Sequence, residues 1–197
     1  GTGLVKLLTR ERYVAPNLAR NPEIMVFGGD NAQDLESQFP WADIFICGPG
    51  MFQNYWSEQL LYKLIEYAQL NHVPTLLDAG ALRLLSMEAF AELALPENLI
   101  ITPHPGEAAS LLNMSAAEVQ GNRLQAAKDL HSKFGGTVVL KGHGTLIYDG
   151  HTCHLCLVGG PELAVAGSGD VLSGLIGSLL SQGLKPKDAA ISGVALH

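Results

Sequence analysis

Basic charge is scarce in this chain of 197 residues. Lys and Arg total 12 against 19 Asp and Glu, a formal net charge of −7, with no basic block to offset it. Nucleic acid and anionic membrane surfaces are therefore not expected partners. Cysteine is scarce too, and its odd count of 3 builds no disulfide framework, which points to a reducing, cytoplasmic setting. No apolar run reaches membrane-spanning length, and no charged, apolar, small-residue leader is visible. Aromatics make up only 7% of the chain. Apolar residues nonetheless reach 47%, the composition of an ordered α/β protein and not of a disordered one.

The length favours one domain, 1–197, with a substantial core. Gly1-Thr2-Gly3-Leu4-Val5 runs straight into a strand-like segment. The helix that Pro186 opens reaches His197 without a glycine cap or breaker. The expectation is a domain truncated at both ends.

Strands alternate with helices along the chain. Leu4–Leu8, Ile24–Phe27, Asp43–Cys47, Thr75–Leu77 and Leu99–Thr102 read as short apolar strands. Asn54 opens a long helix whose stripe is Trp56, Leu60, Leu61, Leu64, Ile65 and Ala68. A second helical stretch runs from Ala81 to about Leu93. A third runs from Ser115 to about Lys133, with Glu118 completing a capping box. Thr137–Lys141, Thr145–Tyr148 and His151–Val158 read as strands, with Asp149-Gly150 as a turn signal between the last two. This alternation predicts a mostly parallel central sheet with helices on both faces, a three-layer αβα arrangement.

In open parallel sheets, ligands bind beyond the carboxyl ends of the strands. Four segments here fall at such ends: Gly48-Pro49-Gly50, Asp78, Pro103-His104-Pro105-Gly106-Glu107, and Lys141-Gly142-His143-Gly144-Thr145. Each has a plain alternative. The first is a simple turn, Asp78 a helix cap, His104 a loop histidine held between prolines, and Lys141 a solvated charge. Jointly they predict a pocket.

Ala166-Gly167-Ser168-Gly169-Asp170 joins them at a helix start, since Val171, Leu172, Leu175, Ile176, Leu179 and Leu180 follow at helical spacing. Unpaired N–H groups at Gly167, Ser168 and Gly169 suit a phosphate or a developing oxyanion, with the Asp170 carboxylate beside them. The alternative is that Ser168 or Asp170 caps the helix. Cys153-His154-Leu155-Cys156 has the inner spacing of a zinc half-site, but a strand there points the two cysteines to opposite faces, so no metal site is expected.

Together these segments resemble the ADP-dependent NAD(P)H-hydrate dehydratases of the ribokinase-like superfamily. The matching stretches are Gly3-Leu4-Val5, Gly48-Pro49-Gly50, Leu77 to Leu82, Thr102-Pro103-His104-Pro105-Gly106-Glu107-Ala108, Lys141 to Thr145, and Ala166 to Leu172. Thr-Pro-His-Pro-Gly-Glu is the most family-specific. The resemblance implies that Gly50, His104 and Asp170 contact the hydrate of NADH or NADPH. It also implies that Lys141, Gly142, His143, Gly144, Thr145 and Gly169 contact ADP or ATP. Asp170 serves as general base, Gly48, Asp78 and Glu107 support the site, and Mg²⁺ travels with the nucleotide. A homo-oligomer, a tetramer, is implied as well. Two departures stand out. Gly160-Pro161-Glu162 replaces the family's usual Asn-Pro, and the family's opening segment lies before Gly1.

Two other readings share these residues. One is a ribokinase-like kinase acting on a hydroxymethylpyrimidine- or hydroxyethylthiazole-type alcohol. It would use Asp170 and the anion site without the Pro-His-Pro-Gly-Glu segment. The other is a nucleotide-binding module without turnover.

Overall fold

The computed structural model describes residues 2–197. Its strands are β1 (Lys6–Thr9), β2 (Met25–Gly28), β3 (Phe45–Cys47), β4 (Thr75–Leu77), β5 (Leu99–Ile101), β6 (Thr137–Leu140), β7 (Thr145–Tyr148) and β8 (Cys153–Cys156). The α-helices are α1 (Val14–Arg20), α2 (Gln33–Glu36), α3 (Tyr55–Asn71), α4 (Ala79–Leu85), α5 (Pro105–Leu112), α6 (Ala116–Gly121), α7 (Arg123–Phe134), α8 (Ser168–Ser181) and α9 (Pro186–Leu196).

The main sheet has the order β3-β4-β5-β6-β7-β8. Strands β3 to β6 are parallel, and β6, β7 and β8 pair antiparallel. The mostly parallel sheet expected from the sequence is therefore present. The first two strands are an exception. β1 and β2 pair only with one another, in a separate parallel sheet. Leu8 and Phe27 of that sheet pack onto the main core as half-buried residues.

Short strands without polar alternation need cover on both faces. Period-two geometry divides them. Leu77, Leu99, Ile101, Val138, Leu140 and Leu146 join one cluster with Leu61, Leu64 and Ile65 of α3, Leu82 of α4, Leu111 of α5 and Leu130 of α7. Leu76, Ile100, Val139 and Ile147 point the other way, against Leu172, Ile176 and Leu180 of α8 and Ala189, Ala190 and Val194 of α9. Helices α3, α4, α5 and α7 thus contribute to one layer, and α8 and α9 form the other. No described helix is long and apolar enough to cross a membrane.

The helix starts follow local chemistry. Asn54 caps α3 by accepting from the Ser57 N–H. Ser115 and Glu118 form the expected capping box of α6. The single helix predicted from Ser115 to Lys133 is two, broken at Asn122, whose side chain caps α7. The stretch predicted from Ala81 to Leu93 ends as α-helix at Leu85 and continues as a 3₁₀ turn over Glu88–Phe90. At the β7–β8 turn, Asp149 occupies the first corner and Gly150 and His151 the centre. The Asp149 carboxylate accepts from the His151 and Thr152 N–H groups.

Burial pushes the Cys47 thiol up to about 12, because a thiolate there would lie among Phe45, Leu77 and Ala81 without solvation. Cys153 is exposed and Cys156 half-buried. A thiol reagent is therefore expected to label Cys153 first in the native protein and Cys47 only after denaturation. Mass spectrometry of the modified peptides checks the order, and prompt labelling of Cys47 would contradict it.

Candidate active site

The ladder continues past the ends of the parallel strands and aligns four loops. The Asp78 N–H donates to the Cys47 carbonyl, the Thr102 N–H to Leu77, and the Lys141 N–H to Pro103. Three of the predicted segments therefore begin side by side with the Gly48 turn. That turn is packed tightly. Gly48 has φ +128°, and a Cβ on it would strike the Asp78 carbonyl. Its own carbonyl accepts from the Met51 and Gly80 N–H groups. Next to Asp78, Ala79 is held at φ +45°, a left-handed conformation rare for alanine and found preferentially where surrounding structure fixes a functional turn.

Asp78 begins α4, but its side chain does not cap that helix. Being only 1% exposed, the carboxylate must find charged or polar partners. It accepts from Lys141 Nζ at 2.8 Å and from Ser173 Oγ at 2.8 Å. The alternative reading of Asp78 as a cap is thereby corrected: its two oxygens bridge the end of β6 to α8. The ammonium of Lys141 also lies under the glycine-rich helix start, 3.3 Å from where a Gly169 Cβ would stand. Lys141 is thus a buried-end partner and not a solvated charge.

The start of α8 is capped neither by Ser168 nor by Asp170. Gly167 is the capping residue, at φ +87°, without a side-chain cap. Ser168 Oγ meets His197 Nε2 of the α9 end at 3.0 Å. Asp170 is exposed in the first turn of α8 and makes no hydrogen bond or ion pair among the described residues. Its carboxylate is left facing solvent beside Gly169, where it complements the positive helix start.

The Pro-His-Pro-Gly-Glu segment is a helix entry. Pro105 occupies the first position of α5, where a missing N–H is harmless. His104 Nδ1 accepts from the Gly106 and Glu107 N–H groups at 3.0 and 3.2 Å. Glu107, buried, returns a bond to the His104 N–H at 3.0 Å, closing a capping box in which histidine plays the part usual for Ser or Asp. Nδ1 is therefore the unprotonated ring nitrogen, and Nε2–H is the donor, 3.4 Å from Glu107 Oε1. The imidazole side chain is 50% exposed. Gly50 is also exposed, at φ +73°.

Lys141 to Thr145 forms an open loop into β7. Its carbonyls are taken from within the chain: Leu140, Lys141 and His143 by the Arg123 guanidinium, and Gly142 by Thr145 Oγ1. The N–H groups of Gly142, His143 and Gly144 find no acceptor among the described residues. Such consecutive free amides form an anion-binding concavity.

Arg123 and Ser173 were not identified from the sequence. Their partners lie 17 to 95 residues away, and no spacing signal marks them. Gly160-Pro161-Glu162 leads into an exposed 3₁₀ turn, Pro161–Leu163. On β8, Cys153 and Leu155 are exposed while His154 and Cys156 are half-buried, so the cysteines do face oppositely. No three His, Cys, Asp or Glu side chains among the described residues are placed to hold a metal.

The whole chain, residues 1–197, matches the family model described as NAD(P)H-hydrate dehydratase. It is 42% identical over 199 residues to the bifunctional NAD(P)H-hydrate repair enzyme Nnr of Escherichia coli, covering 100% of this chain and 37% of that protein. It is 50% identical over 127 residues to the ADP-dependent (S)-NAD(P)H-hydrate dehydratase of Neisseria meningitidis, covering 63% of this chain and 43% of that one. The chain thus spans less than half the length of these relatives. Among solved structures, the ADP/ATP-dependent NAD(P)H-hydrate dehydratase of Bacillus subtilis, co-crystallised with ATP/Mg²⁺ and soaked with CoA, aligns with a TM-score of 0.80 at 28% identity. That alignment covers 100% of this chain and 70% of the other. The ribokinase-like layering expected from the sequence is borne out.

Proposed function

Because the chain belongs to the NAD(P)H-hydrate dehydratase family, we propose that it restores NADH or NADPH from the hydrated ring, at the expense of ADP. The observation that carries this reading is a convergence at Gly169. The Lys141 ammonium lies 3.3 Å from where a Gly169 Cβ would stand, beside the solvent-facing Asp170 carboxylate of the same helix start, and the loop that Lys141 opens carries the free amides of Gly142, His143 and Gly144.

Hydroxide leaves carbon poorly, so the ring hydroxyl is first made into a phosphate ester. The Asp170 carboxylate takes the hydroxyl proton as general base. The hydroxyl oxygen then attacks the terminal phosphorus of ADP, and the bond to the AMP oxygen breaks. The Gly167 and Gly169 amides and Lys141 stabilise the charge on the transferring phosphoryl group, whereas the Ser168 amide, expected to be free, is taken by the Val165 carbonyl at 3.2 Å. The ring nitrogen's electron pair expels phosphate, and a ring proton leaves with it to restore the double bond. The products are NAD(P)H, AMP and phosphate.

Gly50 and the His104 Nε2–H contact the hydrate, and Gly48 and Glu107 fix the turns that present them. Gly142, His143, Gly144 and Thr145, with Lys141 and Gly169, hold the nucleotide. The donor set of the described residues does not build a resident metal site, but it fits Mg²⁺ that would be carried in by the phosphates and water. Bound there, the ion would supply charge neutralisation on the phosphates. The same reading places the enzyme in the cytoplasm as a homo-oligomer, a tetramer. Tyr55, Tyr62 and Leu70, exposed along α3, support an apolar contact.

Supplying NADH hydrate together with ADP should restore the near-ultraviolet absorbance of the reduced ring. Turnover of pyrimidine or thiazole alcohols with ATP, and none of the hydrate, would favour the kinase reading. ADP binding without any turnover would favour the binding module.

His104 offers a separate test because its two nitrogens do different work. His104→Ala removes the acceptor for two N–H groups and should cost about 1 kcal/mol of stability. His104→Asn, a good cap, should recover most of it. Both variants should raise the KM for the hydrate more than they lower kcat, since the Nε2–H contact is lost in each. A large fall in kcat at unchanged KM would make His104 an acid–base residue instead.

A further inference from the structure

We infer that Arg123 is a positioning residue for the nucleotide: its guanidinium moulds the Lys141–Thr145 loop into the shape that leaves three successive N–H groups free. This rests on the functional reading above, which assigns that loop to ADP.

Arg123 stands at the first position of α7, next to its capping residue Asn122. One terminal nitrogen donates to the His143 carbonyl at 2.7 Å, and the other to Leu140 at 3.1 Å and Lys141 at 3.4 Å. Only a planar fork can span acceptors spread over such a turn; an ammonium is a single point. With the Gly142 carbonyl held by Thr145 Oγ1 at 3.3 Å, four successive carbonyls are drawn inward. The amides of Gly142, His143 and Gly144 are the groups left over. Gly142 sits at φ +146° against the guanidinium, where a Cβ would lie 3.0 Å from the Arg123 nitrogen. The loop and the side chain are shaped to each other.

Helix stability does not account for an arginine here. A cation in the first turn opposes the helix dipole. No carboxylate pairs with it. Its Nε is buried without a hydrogen-bond partner, alone in this among side-chain nitrogen and oxygen atoms of the described residues. Burial also lowers the affinity of the guanidinium for its proton. These unfavourable features stand against the three carbonyl hydrogen bonds, and a guanidinium held this way without a counter-charge suits a loop that receives an anion. A phosphate on the free amides would add the anion that the guanidinium lacks.

The test compares wild type, Arg123→Met and Arg123→Lys in the same chain. Three readouts are needed: ADP binding by calorimetry, steady-state constants for ADP and for the hydrate, and thermal unfolding. Arg123→Met should raise the KM for ADP by about 10- to 100-fold, the range expected for losing hydrogen bonds to a charged group. The kcat at saturating ADP and the KM for the hydrate should stay within about threefold, because the reacting groups are untouched. The melting temperature should hold or rise. Arg123→Lys should fall between. An ADP KM in Arg123→Met equal to wild type overturns the inference and leaves the functional reading standing. So does a melting temperature that falls in step with kcat at constant KM, which would mark Arg123 as a structural residue only. If wild type itself binds no ADP, the functional reading fails and the inference fails with it.

Discussion

Asp170→Asn is expected to lose about 10²- to 10⁴-fold in dehydration rate, the usual contribution of a placed general base. The side chain is exposed in the first turn of α8, makes no bond within the described chain and does not cap the helix. Asparagine therefore breaks no contact. The loss of a carboxylate near a helix start should change stability by less than about 1 kcal/mol. Nucleotide affinity should stay near normal, since the phosphates rest on the loop amides, Lys141 and the helix start. Circular dichroism, calorimetry with ADP and the hydrate assay separate these terms. A folded, ADP-binding Asp170→Asn with near-native dehydration would remove the proposed chemistry from Asp170.

The second large effect falls on Asp78. Its carboxylate is buried and shared between Lys141 and Ser173. Asp78→Ala strips Lys141, whose side chain is only 20% exposed, of its counter-charge. Removing one partner of a buried pair costs about 3–5 kcal/mol, because the other charge stays behind without compensation. Lys141→Met leaves the mirror problem, but the Ser173 hydroxyl still serves the carboxylate, so the loss should be smaller. The double variant Asp78→Ala, Lys141→Met removes both charges and should be more stable than Asp78→Ala alone. None of the three should bind ADP like wild type, because the ammonium under Gly169 is either absent or displaced. Denaturant unfolding of the four proteins gives the cycle. Additive losses would mean that the two side chains do not act as a pair.

Much of the fold was legible because it rests on patterns local to each segment. Leu76 and Leu77 face opposite layers as strand geometry requires, and Asn54, Ser115 and Pro186 open the helices that their chemistry favours. Helix α5 was missed for a physical reason. Two prolines around His104 suggest extended backbone, yet one sits where helices tolerate proline and the histidine takes the capping position. The pairing of β1 with β2 apart from the main sheet left no local signal either, since both have ordinary strand composition.

The site followed the same division. The segments at the strand ends were readable by their glycines, prolines and charges. Their bonds to one another were not. Asp78 looks like a cap from its neighbours, and its partners are decided by the arrival of β6 and α8. Arg123 was invisible because its acceptors are carbonyl oxygens, which every residue carries.

The strand order of the main sheet bears on when the candidate site is assembled. Each strand from β4 to β8 lies beside the one that precedes it in the chain. Neighbouring closures keep the entropic cost of each addition low, so the sheet can be extended one strand at a time. The Asp78–Ser173 bond, in contrast, spans 95 residues and waits for α8 to dock. A chain stalled with its sheet complete would have much of its core but no anchored helix start under the phosphates. Its second face, with Leu76, Ile100, Val139 and Ile147, would also lie uncovered, so under the proposed function hydrate turnover would require the docking of α8 as well as the sheet.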